Sequence, residues 1–466
     1  MTSIAFDLSP LLRGPAPYYP DWRWTYHPSF ALGKLWAPSL VFVTILWLYT
    51  YYEKKIAEER VVSIPKLLAV FVGLSFLFQI SILFYNQAGI SVLLHRIINQ
   101  DISGYFTSSL TISSFSAFIS HYNENVGLYP MFARFHPPAS IILLWIPTVV
   151  FSHFQSYLTV FSKITPTHTD VAFVWTHLEN YQRASAVFSA LFIPLLSSMA
   201  IVPLYFLTSM LYGSLIAIRA LPLYMVIPSM VSFNPLNDGM FSFLSITLIY
   251  VFFLAIKRKS VAFFILTGFF YAICIYFTLT FIPFILFFVT YLVIYFSKRK
   301  NFYLNTINSF FALSFGALII PFLLFVLYQF DTIQMVQAVM KYHEIARNGR
   351  EYLVWFFYNI YDTLLFFGIP LSCIFIWSLF DFFKKRRSLI KNNILVSFLF
   401  MICFVNFSGA TRGETARVWI PYLPLMFLVI IHFIDIKRFT KNQILFLIVL
   451  QGIQVFIFQS VLVTLS

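Results

Sequence analysis

Long apolar stretches alternate with short polar linkers along almost the whole chain. Apolar runs of about 20 residues suit α-helices that cross a hydrocarbon core of about 30 Å. The alternating ten-residue segments of a membrane β-barrel are not seen. Residues 37–466 therefore predict one all-α transmembrane domain of about thirteen spans, at positions 37–51, 67–86, 139–160, 187–210, 215–232, 239–256, 261–277, 280–297, 305–328, 357–382, 393–407, 419–435 and 443–463.

Two segments stand outside this alternation. Residues 1–36 form an N-terminal arm rich in proline and aromatic residues, a composition typical of packing at the membrane interface. Residues 154–186 would start inside after a simple span at 139–160, yet the next span has to start outside. Either a further crossing or a re-entrant piece lies here, or one of the spans is misplaced. The polar stretch 165–184 is compatible with an interfacial helix.

The first large loop, residues 87–138, carries two amphipathic patterns. Apolar residues recur at helical spacing from Ile90 to Ile98, which predicts a helix lying on the membrane surface. A second pattern predicts another such helix over residues 107–122. Asp101 lies between the two, and Gly104 allows a turn there. This loop therefore predicts a polar site that is framed by interfacial helices.

Composition supports a polytopic membrane protein. The chain of 466 residues is 60% hydrophobic and 10% charged, whereas soluble domains carry about 25% charged residues. Phenylalanine alone contributes 59 residues. Most of these side chains have to face lipid or pack between helices, because a soluble fold could not bury so many.

The basic residues give the orientation. The net charge is +14, but nucleic-acid binding would need one contiguous basic face, and here the basic residues sit in short linkers, as the positive-inside rule predicts. The arm and the loops 87–138, 329–356 and 408–418 then lie on the periplasmic or extracellular side. The basic linkers are Lys54-Lys55, Lys257-Arg258-Lys259, Lys298-Arg299-Lys300, Lys384-Lys385-Arg386-Arg387 and Lys437-Arg438.

Several kinds of chemistry find no support in the sequence. Cys274, Cys373 and Cys403 all lie in apolar runs and lack the spacing of metal ligands or disulfides. No HExxH, Walker or G-x-S-x-G pattern is present. The sequence therefore predicts no metal and no cofactor.

The first outer loop contains the first candidate site residues. A carboxylate at Asp101 or Glu124 can take a proton from an acceptor hydroxyl or amine; alternatively, Asp101 is the N-cap of the following helix. Arg134 and His136 can bind a phosphate or orient a base. The alternative is a simple helix entry, since the two prolines of His136-Pro137-Pro138 favour a helix start.

The later outer loops add further candidates. Asp238 precedes a span and is either a site carboxylate or an N-cap. His343 and Arg347 share one helical face, which suits a phosphate or simply a solvated helix.

The last group of candidates lies at the entrance of a late span. Arg412, Glu414 and Arg417 stand close to the bilayer, where charged residues are either paired or functional. Arginine suits the recognition of phosphate in particular.

The layout resembles the GT-C glycosyltransferases, especially the relatives of protein O-mannosyltransferase and aminoarabinose transferase. The stretch from Asp101 through His136-Pro137-Pro138 resembles the large first outer loop of that family. Asn234-Pro235-Leu236-Asn237-Asp238 resembles its Pro…Asp signature before a later span, and residues 411–419 are similar to a motif of bacterial members. The chain departs from the family at Tyr85-Asn86-Gln87, where members commonly carry an acid. The base therefore stays open among Asp101, Glu124 and Asp238.

The resemblance implies a GT-C-like fold and a function. It implies inverting transfer of a sugar from a polyprenyl-phosphate donor to a lipid, glycan or protein acceptor on the outer face, without a metal. A loop carboxylate would activate the acceptor, and Arg134, Arg412 and Arg417 would neutralise the departing lipid phosphate.

Two other functions compete with this interpretation. A transporter or flippase of lipid-linked sugars would also need an outer cleft, and a structural membrane protein would need no chemistry. Transporters place ionisable groups near the membrane midplane. Here nearly all candidates lie at span ends on one side, which favours an enzyme.

Overall fold

The computed structural model describes residues 1–16, 21–28, 32–85, 89, 91–164, 166, 169–297, 302–384 and 392–464. Several residues used in the sequence analysis lie outside this part of the chain: Asn86, Gln87, Ile90, Lys298-Arg299-Lys300 and Lys385-Arg386-Arg387.

The described chain is almost entirely helical. Helices α1–α8 are Thr2–Ala5, Trp36–Ala57, Ile64–Leu83, Ser91–Ile98, Tyr105–Ser109, Phe115–Ser120, Tyr122–Asn125 and Met131–Arg134. Helices α9–α17 are Ala139–Ser152, Thr169–His177, Asn180–Ser198, Ile201–Tyr212, Ser214–Met225, Pro228–Ser232, Asn237–Arg258, Val261–Phe277 and Phe284–Phe296. Helices α18–α25 are Phe302–Tyr328, Thr332–Arg347, Tyr352–Phe367, Ile369–Lys384, Asn393–Ser408, Thr415–Val418, Leu423–Lys437 and Lys441–Val461.

Short elements connect these helices. Two strands, β1 (Thr25–Tyr26) and β2 (Leu462–Val463), pair in antiparallel register. Short 3₁₀ turns lie at Pro10–Arg13, Leu32–Lys34, Val126–Leu128, Gln155–Tyr157, Thr159–Lys163, Leu279–Phe281 and Ile420–Tyr422.

The prediction of thirteen spans is wrong, although the all-α membrane class is consistent with the structure. Among the described residues, seven helices are long and apolar enough to cross a membrane, or up to eight if a bent pair counts as one span. The seven are Ile64–Leu83, Asn180–Tyr212, Asn237–Arg258, Leu279–Phe296, Leu304–Tyr328, Ile420–Lys437 and Lys441–Val461.

The missing spans fail for physical reasons that differ from one to the next. The predicted span 139–160 ends at Ser152, and its 14 residues reach only about 21 Å. The predicted span 357–382 is two helices, α20 and α21, bent by 118° at Gly368, whose φ is 105°. Helices α13, α16 and α22 are likewise shorter than a full crossing.

The first outer loop contains more and shorter helices than its amphipathic pattern predicts. Helix α4 matches the first predicted amphipathic helix. The second, expected over 107–122, is divided into α5 and α6. Helix α5 starts early, at Tyr105, after Gly104 takes up a left-handed conformation with φ 68°, and α6 starts again after its N-cap Ser114. After α9 come the two 3₁₀ turns Gln155–Tyr157 and Thr159–Lys163 and then α10, which packs on α4.

Helices α15 and α24 run in the same direction and define two ends of the bundle. Asp238, at the start of α15, lies beside Arg417, which precedes α24. Further along α15, Ser245 Oγ donates to the carbonyl of Pro421, which is closer to the start of α24. We call the end where both helices begin the loop end. They finish at Arg258 and Lys437 respectively, so we call the opposite end the basic end.

The N-terminal arm is fastened to the loop end. The Trp24 indole nitrogen donates to Asp362 Oδ1 at 2.8 Å, and the Trp355 indole nitrogen donates to Asp21 Oδ1 at 2.7 Å. In the β1–β2 pair, Thr25 lies opposite Val463. The arm therefore joins helix α20 to the segment that follows α25.

Two glycines allow helices α16 and α18 to approach each other closely. A Cβ at Gly268 would lie 1.8 Å from the Leu313 carbonyl oxygen, and one at Gly316 would lie 1.9 Å from the Ile265 carbonyl oxygen. The obstacles are backbone atoms, which cannot turn aside as a side chain can. Glycine is therefore required at both positions for this packing.

Cysteine labelling tests the two ends of the bundle. Ser408 is exposed beside the loop end and Lys257 is exposed at the basic end. In a background without the native cysteines, we expect single cysteines at these positions to react with an impermeant reagent from opposite sides of the membrane. Labelling from the same side would contradict the arrangement of α15 and α22.

Candidate functional site

The candidate site is a buried ion cluster at the loop end. Arg417 is the central residue. Its Nη2 donates to Glu414 Oε2 at 2.6 Å, and its Nε lies 3.8 Å from Asp238 Oδ2. Asp238 and Arg417 are 8% and 9% exposed respectively. Because charges are costly to bury without partners, this mutual pairing explains how the three side chains remain together.

Local backbone structure places each member. Asp238 lies in the first turn of α15, where the helix dipole favours a carboxylate. Glu414 has a left-handed φ of 54° and precedes the short helix α23, so that Glu414 and Arg417, three residues apart, meet on one side.

A second carboxylate, Asp362 of α20, holds the loop that carries Arg417. Asp362 Oδ2 accepts from the Ala416 amide at 2.8 Å and from Thr415 Oγ1 at 3.3 Å. Asn359, one turn earlier, accepts from the Gly413 amide at 3.2 Å and donates to the Thr411 carbonyl at 2.8 Å. The arm, α20 and the loop thus form one hydrogen-bonded unit.

His136 and Tyr105 bring the first outer loop to the cluster. Their ring centroids are 5.5 Å apart in an edge-on arrangement. His136 Nδ1 lies 3.3 Å from the Phe277 carbonyl oxygen, so Nδ1 carries the proton and Nε2 keeps a lone pair. Burial, then the neighbouring His343 and Arg417, lower the pKa of His136 to about 3. His136 is therefore neutral at physiological pH and offers no positive charge to a phosphate.

Tyr105 and Arg417 keep their ordinary protonation states at neutral pH. Burial and the nearby Asp238 raise the pKa of Tyr105 well above its usual value, so its phenol stays a donor. Burial lowers the pKa of Arg417, but Glu414 and Asp238 outweigh this effect and the pKa is raised overall. The guanidinium thus keeps its charge.

The two carboxylates of the cluster differ in how closely they bind Arg417. Glu414 is bound directly to Arg417, whereas Asp238 at 3.8 Å is beyond hydrogen-bond distance. Two carboxylates also face a single guanidinium. Asp238 therefore has the geometry of a group that can exchange a proton with a ligand.

Two of the carboxylates predicted from the sequence do not contact the cluster. Asp101 and Glu124 are both exposed. Among the described residues, neither carboxylate forms a hydrogen bond or an ion pair; only the backbone amide of Asp101 is bound, by Asn99 Oδ1 at 2.7 Å. Asp101 is also not the N-cap of α5, which is Gly104.

Arg134 and His343 support His136 from the side. Arg134 Nε donates to the Tyr129 carbonyl, and its guanidinium stands 5.6 Å above the ring of Tyr342. His343 Nε2 donates to the Phe135 carbonyl at 2.8 Å. Burial lowers the pKa of His343, so this second imidazole is also neutral. Helix α19 is thereby fixed against the residue next to His136.

A basic rim of three half-buried arginines lies where the segment between α19 and α20 meets the loop that precedes α23. We define it as Arg347, Arg350 and Arg412. Arg412 Nη1 donates to the Arg350 carbonyl at 2.6 Å, Arg350 Nη1 donates back to the Arg412 carbonyl, and Arg347 Nη1 lies 3.5 Å from the Gly409 carbonyl. In the described part of the chain, Arg347 and Arg412 have no carboxylate partner.

The structure thus divides the predicted residues into separate groups. His136, Asp238, Glu414 and Arg417 meet in the cluster, and Arg347 and Arg412 form the rim. Sequence reasoning missed two contributors, Tyr105 and Asp362. The spacing of Asn359 and Asp362 on one face of an otherwise apolar helix was the signal that could have identified Asp362; Tyr105 carried no comparable signal.

The buried neutral His136 predicts a pH-dependent stability. Between pH 6.5, the ordinary value, and pH about 3, the unfolded chain binds a proton at this residue that the folded chain does not. Stability therefore falls as the pH is lowered through this window, by up to about 1.4 kcal/mol per pH unit.

Thermal unfolding in detergent between pH 7 and pH 4 provides the measurement. We expect His136→Asn to flatten the pH dependence of the unfolding temperature, because asparagine does not titrate in this range. The exposed His153 offers the matched control substitution, His153→Asn. An equal slope in wild type and His136→Asn would show that the imidazole is protonated in the folded state.

Two comparisons with known proteins found no match to the chain. No protein-family model matches the chain, and no curated protein is significantly similar to it. Among the described residues, no group of three or more His, Cys, Asp or Glu side chains is placed to hold a metal ion.

Proposed function

We propose that the chain is an integral-membrane glycosyltransferase that moves a sugar from a polyprenyl-phosphate donor to an acceptor at the loop end. The observation that carries the proposal is the Asp238–Arg417–Glu414 cluster, buried where two membrane-length helices begin. A lipid-linked donor would bring its reacting bond to this depth, because its chain lies in the bilayer and its head group lies at the surface.

In the proposed reaction Asp238, the carboxylate that lies further from Arg417, is the general base. Asp238 takes the proton from an acceptor hydroxyl, and the acceptor oxygen forms a bond to the anomeric carbon. The bond from that carbon to the phosphate oxygen breaks at the same time, so the polyprenyl phosphate leaves with the electron pair and the sugar is inverted. Asp238 then releases its proton to water.

The rim suits the phosphate. Arg347 and Arg412 offer guanidinium groups whose hydrogen bonds go to backbone carbonyls, so they retain donors for an anion. Charge at the departing phosphate would develop within reach of this positive field, which is electrostatic stabilisation of the transition state. Arg417, which is held by two carboxylates, orients Asp238.

The proposed orientation puts the loop end outside the cytoplasm. Helices α15 and α24 begin there and end at basic residues, as the positive-inside rule favours for cytoplasmic ends. Acceptors on that side are lipids, glycans or proteins.

Donor turnover in proteoliposomes tests the proposal. Purified protein is incubated with radiolabelled polyprenyl-phosphate sugars, and loss of sugar from the lipid is followed with and without an acceptor extract. Loss of label from the lipid, dependent on the protein, supports the proposal. Intact labelled lipid appearing in the opposite leaflet would contradict it in favour of a flippase, and neither event with any donor would remove both functions.

A further inference from the structure

Arg96 is a buried cation that the proposed reaction does not use. It lies in α4, the amphipathic helix of the first outer loop, yet it is only 2% exposed. Its Nη1 donates to the carbonyls of Ser232 and Asn234, and its Nη2 donates to Thr464 Oγ1 at 3.2 Å. One guanidinium therefore joins three distant parts of the chain at the loop end.

The burial of this charge needs a reason. Within the described residues Arg96 has no carboxylate partner, and its Nε has no hydrogen-bond partner at all. Burial lowers its pKa to about 9, so it remains charged at neutral pH. Burying a guanidinium without a carboxylate partner costs free energy. An apolar side chain would pack α4 against the core without that cost.

The carbonyls that Arg96 binds belong to the segment that leads into Asp238. Asn234 Nδ2 donates to Gln79 Oε1 at 2.8 Å, so this segment is also tied to α3. A Cβ at Gly239 would lie 2.9 Å from Asn234 Oδ1. Asn234 and the first turn of α15 are thus in direct contact, and a displacement of one displaces the other.

We propose that Arg96 is a positioning residue that fixes residues 232–238 and thereby sets the place of the Asp238 carboxylate beside Arg417. It acts through backbone carbonyls and touches neither carboxylate. The kinetic consequence rests on the proposed glycosyl transfer, whereas the structural consequence does not.

Hydrogen–deuterium exchange tests the structural part without any substrate. The amides of Leu236 and Gly239 donate to the carbonyls of Phe233 and Leu236, so their exchange reports opening of this segment. In Arg96→Met we expect exchange over residues 232–240 to rise by about tenfold or more, with the interior of α25 unchanged. Arg96→Lys, which keeps the charge but supplies fewer directed donors, should give a smaller rise.

Arg219 provides a matched control at the basic end. It is also a largely buried arginine, and it donates to the Phe439 carbonyl and to Glu53. In Arg219→Met we expect exchange over residues 232–240 to stay as in wild type. An equal rise in both methionine variants would show general loosening and overturn the inference. Unchanged exchange in both Arg96 variants would also overturn it, and Arg96→Lys alone decides the matter if Arg96→Met does not fold.

The pH–rate profile separates positioning from loss of folded protein. If Asp238 is displaced from Arg417, we expect the half-maximal rate of donor turnover to occur at a different pH in Arg96→Lys. A smaller folded fraction would instead scale the rate equally at every pH, which would contradict positioning. Absence of turnover in wild type together with local exchange in the variants would remove the glycosyltransferase proposal and leave the role of Arg96 intact.

Discussion

Asp238→Asn is expected to lower donor turnover by about 10²- to 10⁴-fold, the usual contribution of a general base, while the protein remains folded. Asparagine keeps the size of the side chain and can still bind near Arg417, but it cannot accept the proton of an acceptor hydroxyl. Arg417 keeps its direct bond of 2.6 Å to Glu414, so the variant leaves no uncompensated buried cation. Initial rates in proteoliposomes, normalised to folded protein, give the measurement.

Asp101→Asn and Glu124→Gln provide the comparison. Both residues are exposed, and neither carboxylate forms an ion pair among the described residues. We expect either variant to retain turnover within about threefold of wild type, as for surface substitutions away from special contacts. Full activity in Asp238→Asn with loss in Asp101→Asn would transfer the role of base to Asp101.

Gly268→Ala is expected to destabilise the protein by about 3 kcal/mol or more, at the upper end of overpacking effects. The added methyl would lie 1.8 Å from the Leu313 carbonyl oxygen and 2.7 Å from the Ala317 amide nitrogen. Since both obstacles are backbone atoms of α18, the two helices have to separate along their whole contact. The unfolding temperature in detergent and the monodisperse fraction on size exclusion would both fall.

Gly73→Ala is the matched control for this effect. Gly73 lies inside helix α3 and nothing stands within 4 Å of its added Cβ. There, alanine replaces glycine in a helix without a clash, which stabilises a helix by about 0.5–1 kcal/mol. The two substitutions are chemically identical but opposite in expected sign. A neutral Gly268→Ala would mean that α16 and α18 are further apart than the structure has them.

The sequence predicts the class of this fold better than its count of spans. Hydropathy identifies apolar stretches, but it does not measure their helical length in space. The apolar stretch 139–160 is long enough to predict a transmembrane helix, whereas the helix itself ends at Ser152. Residues 357–382 form a continuous pattern, yet Gly368 takes up a backbone conformation that turns the chain by 118°. Local conformation of this kind leaves little trace in composition.

The candidate site was predictable in part, because charge near a bilayer is rare. Arg417, Glu414 and Asp238 were identified for that reason, and the structure places them together. Their mutual distances depend on the approach of α15 to α23, which no local pattern contains. Asp101 was one of three candidate bases because of its position between two predicted helices, and the structure leaves its side chain exposed.

The fastening of the N-terminal arm has a consequence for biogenesis. Trp24 emerges early from the ribosome, but its acceptor Asp362 and the strand opposite Thr25 are made much later. At about 5–20 residues per second, the roughly 440 residues between Thr25 and its partner Val463 take about 20–90 s to synthesise. For most of that time the arm also lacks its partners on α20, Trp355 and Asp362, and its partner strand comes last. The loop that carries Arg417 therefore gains its final support only after the last long helix has been inserted, so the site matures as a late, post-insertional event.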